Sequence, residues 1–219
     1  MSDRRSEGGP VRVAVTDLLG ETSRLIGGNA AEAGGAIALL SLLGALVDTG
    51  VAGAGLNLLA SVLTVFIQYR LTVALLDRAG LRNHADPRFA AFFGLGLLTG
   101  IAILAGLVLL VVPGLILMVR WWASGPALIA ANQSITEAMT DSWQRTADHF
   151  WPILAAVLIV YVPALAAALL LWGALPESLA AIVGANISLY VGLVAGWHLA
   201  VAVYRLTGPH HPGVAEVFA

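Results

Sequence analysis

The chain has 219 residues, of which 59% are hydrophobic and 11% charged, and its formal net charge is −2. A soluble domain carries roughly 25% charged residues, so a soluble protein of this composition would not cover its surface. The small negative charge leaves no basic face for phosphates, which excludes nucleic acid as a partner. The absence of cysteine excludes disulfides, thiol catalysis and thiolate metal sites.

The chain begins with MSDRRSEGGPVRV, a polar stretch without an apolar core beside its arginines, so we expect no cleaved signal peptide. Residues 1–10 are predicted to form a disordered tail, residues 11–206 a single transmembrane domain and residues 207–219 a C-terminal tail. Within residues 11–26 the apolar side chains share one helical face, which indicates an amphipathic helix: Val11, Val15, Leu18, Leu19, Leu25 and Ile26. Such a helix lies in the membrane interface or packs on the end of the bundle, and both alternatives stay open.

Apolar runs separated by charged breaks predict six membrane spans, at about 33–49, 51–70, 89–112, 114–131, 150–172 and 178–204. A span needs about 20 apolar residues, and lipid tolerates only structures whose backbone hydrogen bonds are satisfied internally. The predicted fold class is therefore an all-α bundle of three helical hairpins. Because Glu32 and Asp48 shorten the first apolar run, a five-span alternative would make it a re-entrant or interfacial segment.

The run from Phe89 to Ala131 contains one charge, Arg120, and one Pro-Gly pair, Pro113-Gly114, which is predicted to form the hairpin turn. Arg120 would then lie about 9 Å below the surface at 1.5 Å per residue. A charge within a span marks a function or a specific pairing. The alternative is that its long side chain reaches the lipid headgroups.

Polar residues recur within two spans. Span 2 carries Asn57, Ser61, Thr64 and Gln68 on one helical face, and span 6 carries Asn186, Tyr190 and His198. If the hairpins align, Arg120, Asn57, Ser61 and Asn186 form an intramembrane polar cluster, with Thr64, Gln68, Tyr190 and His198 as secondary positions. Such a cluster joins helices by hydrogen bonds, or it lines a polar cavity or an ion path.

Ten of the eleven basic residues, all of them arginine, flank the longer connections on one side of the predicted spans. The opposite connections are short and contain none: Asp48-Thr49-Gly50, Pro113-Gly114 and Pro176-Glu177. The positive-inside rule then places both termini in the cytoplasm.

A second amphipathic helix is predicted over residues 134–148. Ser134 and Glu137 have the spacing of a capping box, in which each side chain bonds the backbone amide of the other residue. Trp143 lies on the apolar face, where we expect it to meet the membrane interface or the inner ends of the spans.

Three other patterns in the sequence involve glycine, serine and histidine residues. Gly96-x-x-x-Gly100 and Gly192-x-x-x-Gly196 permit close helix packing, within the bundle or in a dimer. Ser124 and His198 invite comparison with a rhomboid-type serine protease, but the first glycine of Gly-x-Ser-Gly is missing. His210-His211 alone do not define a metal site. No enzyme activity, cofactor or metal is expected.

Two stretches carry a family resemblance: Val112-Pro113-Gly114-Leu115-Ile116 with Arg120-Trp121 and Pro126-Ala127-Leu128-Ile129, then Glu137-Ala138-Met139 with Ser142-Trp143 and Thr146. This pattern resembles the six-helix bacterial membrane proteins of the YciC type, which are related to the membrane domain of some glycerophosphoryl diester phosphodiesterases. Ala131-Asn132 and Met139 depart from it, at an expected acidic residue and an expected leucine. The resemblance implies a bacterial inner-membrane bundle and no phosphodiesterase activity. We expect a non-enzymatic protein that binds membrane lipids, a protein partner or a second copy of itself; the alternative is a small transporter or channel.

Overall fold

The computed structural model describes residues 13–50, 53–82, 86, 88–175 and 178–208, and within them the chain is helical with short connections. The helices are α1 (Val15–Gly28), α2 (Ala30–Asp48), α3 (Ala54–Arg78), α4 (Phe89–Leu109), α5 (Val111–Arg120), α6 (Ser124–Ala130), α7 (Ile135–Arg145), α8 (Phe150–Ala174) and α9 (Leu179–Leu206). Six segments are long and apolar enough to cross a membrane: α2, most of α3, α4, α5 with α6, α8 with the turn before it, and α9. The all-α, six-span prediction is confirmed. The predicted tails lie outside the described residues, apart from Thr207 and Gly208.

The long hairpin of α8 and α9 forms the centre of the bundle. The second half of α9 is buried on almost every side, because α1, α2, α3, α6 and α8 all pack against this helix. Its two motif glycines face α8: a Cβ on Gly192 would lie 2.7 Å from the Cβ of Ala164, and one on Gly196 would overlap the ring of Tyr161. By contrast, a Cβ on Gly96 or Gly100 would meet nothing within 4 Å. Only the second glycine pair therefore serves packing inside this bundle.

Helix α1 buries one face against α8 and α9 through Leu18, Thr22 and Leu25. At the edge of the same face Glu21 accepts hydrogen bonds from Arg24 at 2.6 Å and from Arg205 of α9 at 2.7 Å. The hydrogen bond from Arg24 has the largest effect, and together with Arg205 it holds the pKa of Glu21 below its ordinary value. Of the two alternatives for the first amphipathic helix, the structure shows packing against the bundle.

The turn between α4 and α5 is not at Pro113-Gly114, as predicted, but at Leu110, which has extended backbone angles. Pro113 is the third residue of α5, where a helix needs no amide donor and tolerates proline. Gly114 packs against α4, and a Cβ there would lie 2.5 Å from the backbone nitrogen of Leu107. The Pro-Gly pair therefore starts α5 and brings it close to α4.

The fourth span is broken into α5 and α6 at Trp121–Ala123. Gly125 and Pro126 follow this break and belong to the first turn of α6. Pro126 is the third residue of its helix, as Pro113 is of α5 and Pro152 of α8. Each of these three prolines occupies a first turn, where its missing amide costs no helical hydrogen bond.

The arginines collect at one end of the bundle, which we call the arginine-rich end. Arg78 at the end of α3 bonds Glu32 in the first turn of α2, and Arg88 before α4 bonds Asn132 after α6. Helix α3 continues to Arg78 rather than ending near residue 70, so Arg70 lies within the helix with an exposed side chain. The contacts of these side chains join the ends of four helices.

Candidate functional site

A cleft of about 500 Å³ lies between α2, α3 and α9, with one edge on α8, and we call it the Asp48 cleft. Five of the predicted polar residues line it together: Asn57, Ser61, Thr64, Asn186 and Tyr190. The remaining lining residues are Gly44, Val47, Asp48, Ala60, Tyr161, Trp172, Leu189 and Leu193. Asn57 and Ser61 are exposed, so the cleft opens along the side of the bundle.

Asp48, at the end of α2, is the charged residue of this cleft, and its Oδ2 accepts a hydrogen bond of 2.8 Å from Asn186 Nδ2. Asn186 is only 5% exposed and also donates to the carbonyl of Ile182 at 2.9 Å. Gly44 makes this arrangement possible, since a Cβ at that position would overlap Asn186 Oδ1 and lie 2.8 Å from the ring of Tyr190. The carboxylate is therefore held at the cleft by a buried amide.

A second cleft of about 390 Å³, the Trp122 cleft, lies between α3, α4, α6, α8 and α9. Its polar groups include Gln68 and Thr72, which continue the polar face of α3 beyond Thr64. The indole Nε1 of Trp122 is buried and has no hydrogen-bond partner within the described part of the chain. Buried polar groups are usually hydrogen-bonded, so this indole is an unusual feature of the cleft: a donor without an acceptor.

Tyr161 and Leu193 line both clefts. The Tyr161 ring rests on Gly196 and meets the ring of Trp122 edge-on, with 6.0 Å between centroids. Together these side chains form the partition between the two clefts, while the polar face of α3 passes along both.

In the structure Arg120 does not join Asn57, Ser61 and Asn186, with which it was predicted to cluster. Its guanidinium lies over the ring of Trp143, 5.3 Å from the centroid, and its Nη1 donates to the Trp143 carbonyl at 3.5 Å. The prediction was wrong because the turn falls at Leu110, which places Arg120 about 15 Å along α5 at 1.5 Å per residue. At that point its neighbour is α7, whereas Asn57 and Asn186 line the Asp48 cleft, to which Arg120 does not contribute.

The break between α5 and α6 is closed by α7. Ser142 is fully buried; its Oγ donates to the carbonyl of Arg120 at 2.7 Å and accepts from the backbone N–H of Ala123 at 3.2 Å. Thr146 Oγ1 lies 3.2 Å from the same carbonyl but is closer, at 2.8 Å, to the carbonyl of Ser142. One hydroxyl on α7 therefore satisfies backbone groups on both sides of the break.

The start of α7 agrees with the sequence. Ser134 Oγ accepts from the Glu137 amide at 3.4 Å, and the Glu137 carboxylate accepts from the Ser134 amide at 2.8 Å. The hydrogen bond from the backbone amide of Ser134 lowers the pKa of Glu137 most, and the bond from the Ser134 hydroxyl lowers it further. Trp143 is 40% exposed and also lies 6.3 Å from the ring of Trp121. Its apolar contacts are with the end of α5.

Ser124 and His198 each bond within their own helical segment. Ser124 Oγ donates to the carbonyl of Trp121 at 2.7 Å, and His198 Nδ1 lies 2.7 Å from the carbonyl of Val194. His198 is fully buried and contributes to neither cleft. His210 and His211 lie outside the described residues.

Sequence reasoning missed Asp48, Gly44 and Tyr161 as cleft residues. Asp48 was assigned to a loop, although Gly44 and Asp48 share a face of α2 four residues apart. A carboxylate one turn beyond a glycine in an apolar helix was the available signal. Tyr161 carried no comparable signal, because its role depends on which helix meets it.

No family model, no curated protein and no solved structure matches this chain. The fold itself defines the class, a multi-pass α-helical membrane protein with six candidate spans.

Proposed function

We propose that this chain is a non-enzymatic protein of the bacterial inner membrane that binds lipid in a cleft between its helices. The observation that carries the proposal is the Asp48 cleft, in which polar groups of α2, α3 and α9 lie beside Leu189, Leu193 and Trp172. A polar head and an apolar chain can both be accommodated there. Because Asn57 and Ser61 are exposed on a helix with the length of a span, the cleft faces the lipid.

The proposed orientation has both termini in the cytoplasm. Arg78, Arg88 and Arg205 pair at one end of the bundle, and Arg120 of α5 packs on Trp143 in the last turn of α7. On this basis the eleventh arginine joins the other ten on the cytoplasmic side. Reporters fused after residue 219 should read cytoplasmic and one at residue 49 external; an external C-terminal reporter would refute the orientation.

The YciC-type resemblance is part of the proposal. Its two stretches contact each other directly, through Ser142 on the Arg120 carbonyl and Trp143 on the Arg120 side chain. The residues of the pattern thus form one packed unit, which gives a physical reason for their joint occurrence.

The second candidate function is transport of a small polar solute. It is favoured by Tyr161 and Leu193, which line both clefts and would separate two halves of one path along α3. Secondary transporters use broken helices at such sites, and the fourth span is broken beside the Trp122 cleft.

One experiment separates the two functions. The chain has no cysteine, so single-cysteine variants can be spin-labelled without background. Ser61→Cys and Gln68→Cys place labels at the two clefts, and Leu58→Cys, at a residue 69% exposed on α3, is the matched lipid-facing control. If the label at Ser61 collides with dissolved oxygen as often as the label at Leu58 does, the result supports lipid binding. If the labels at both clefts collide with a water-soluble nickel chelate, the result supports transport.

A further inference from the structure

Three polar side chains of the Asp48 cleft, those of Ser61, Thr64 and Asn186, already donate hydrogen bonds within the protein. Ser61 Oγ and Thr64 Oγ1 each donate to the carbonyl one turn earlier in α3, at 2.9 and 2.8 Å. Both bonds of the Asn186 amide nitrogen are spent as well, on Asp48 and on its own helix. What these groups still offer is oxygen: lone pairs of two hydroxyls and the carbonyl oxygen of an amide.

The formal charge of the cleft is negative, and it lies among neutral oxygens that also accept hydrogen bonds. Asp48 contributes a carboxylate, and no arginine, lysine or histidine is among the residues that line this cleft in the described part of the chain. Asn57, Tyr161, Trp172 and Tyr190 also carry N–H or O–H groups at this cleft, and all four side chains are formally neutral. A phosphate would therefore find neutral donors, no cation and one repelling carboxylate, whereas a positively charged donor would find that carboxylate and several neutral oxygens.

We infer that the Asp48 cleft binds a primary ammonium group, with Asp48 as its counter-ion and the oxygens of Ser61, Thr64 and Asn186 as further acceptors. The inference rests on the proposed function and names the headgroup chemistry for the same cleft. A primary ammonium donates three hydrogen bonds and carries one positive charge, which suits a carboxylate among neutral oxygens. The cleft opens along the lipid-facing side, so the source we favour is an aminophospholipid such as phosphatidylethanolamine.

Gly44 supplies a second way to test the arrangement without changing a charge. Gly44→Ala would push Asn186 Oδ1 away from α2 and so release the buried amide that holds Asp48. The carboxylate would remain but would lose its position over the cleft.

The experiment is native mass spectrometry of the purified full chain, taken from bilayer discs with equal phosphatidylethanolamine and phosphatidylcholine. The two lipids differ in their headgroups: phosphatidylethanolamine carries a primary ammonium, whereas the quaternary ammonium of phosphatidylcholine has no N–H to donate. We expect the wild type to retain phosphatidylethanolamine preferentially and Asp48→Asn to lose about three- to tenfold of that preference, the net worth of one hydrogen bond in an open cleft. Asp148→Asn, at an exposed carboxylate before α8, is the matched control and should keep the preference.

Gly44→Ala should lower the preference in the same direction. Asp48→Asn retains an oxygen for the Asn186 bond, and a melting curve checks that this variant is folded. In a parallel arm soluble ethanolamine competes for the cleft: displacement of retained lipid supports ammonium recognition, and binding of ethanolamine without lipid retention assigns the site to a soluble amine.

The outcomes separate the two proposals. Equal retention of both lipids by wild type and Asp48→Asn, with no effect of ethanolamine, overturns the ammonium inference and leaves lipid binding intact. Water-like accessibility of the Ser61 label together with no retained lipid overturns the proposed function.

Discussion

The hydroxyl of Ser142 offers the clearest test of how the broken span is held together. Ser142→Ala removes the donor to the Arg120 carbonyl and the acceptor for the Ala123 amide in one step. Ala123 is fully buried, so its N–H becomes an unpaired donor that water does not reach. The Arg120 carbonyl keeps a weaker partner in Thr146 at 3.2 Å.

The expected magnitude follows from these contacts. One buried group left without a partner costs about 1–3 kcal/mol, so Ser142→Ala should lower the free energy of unfolding by that amount. Thr146→Val alone should cost less, because Ser142 still serves both sides of the break. The double variant removes both hydroxyls from the Arg120 carbonyl, and the two changes should therefore be non-additive by at least about 0.5 kcal/mol.

The assay is unfolding of purified protein by titration with a denaturing detergent, followed by circular dichroism in one mild-detergent background. Thr140→Ala is the matched control: it deletes an exposed hydroxyl from the same helix whose bond, 2.9 Å to the carbonyl of Thr136, stays within α7. It should change the free energy by less than about 0.5 kcal/mol. If Ser142→Ala and Thr140→Ala were equal, the break would not depend on α7 and the reasoning would fail.

Three further outcomes are expected. Gly196→Ala, which forces a methyl group into the Tyr161 ring, should cost about 1–3 kcal/mol, while Gly100→Ala, in open space, should be near neutral in the same detergent-titration assay. The pKa of Glu21 is lowered in the folded protein, so its ion pairs stabilise the fold above the ordinary carboxyl pKa, and this stabilisation is lost as the pH falls through the lowered value. Glu21→Gln should therefore flatten that part of the stability-versus-pH curve, and an unchanged slope would contradict the pairing. Arg120→Leu should cost about 0.5–1 kcal/mol, and its cost should shrink in a Trp143→Leu background, where an undiminished cost would rule out the stacking contact.

Local chemistry determined several features from the sequence alone. The six spans follow from apolar runs of bilayer length, and each run is long enough to outweigh the charges at its ends, Glu32 and Asp48 included. The capping box of α7 was predictable because Ser134 and Glu137 bond each other's backbone within a single turn. The polar residues of α3 share a face because helical periodicity is a local property.

Tertiary structure decided everything that depends on which helices meet. Proline restricts its own turn but does not say whether that turn ends one helix or starts the next, so Pro113 was read as the hairpin although Leu110 makes it. That shift moved Arg120 to α7 and away from Asn57, and no local pattern contained this information. Tyr161 divides the two clefts only because Gly196 of α9 leaves room for its ring, a contact that exists once the two helices have packed.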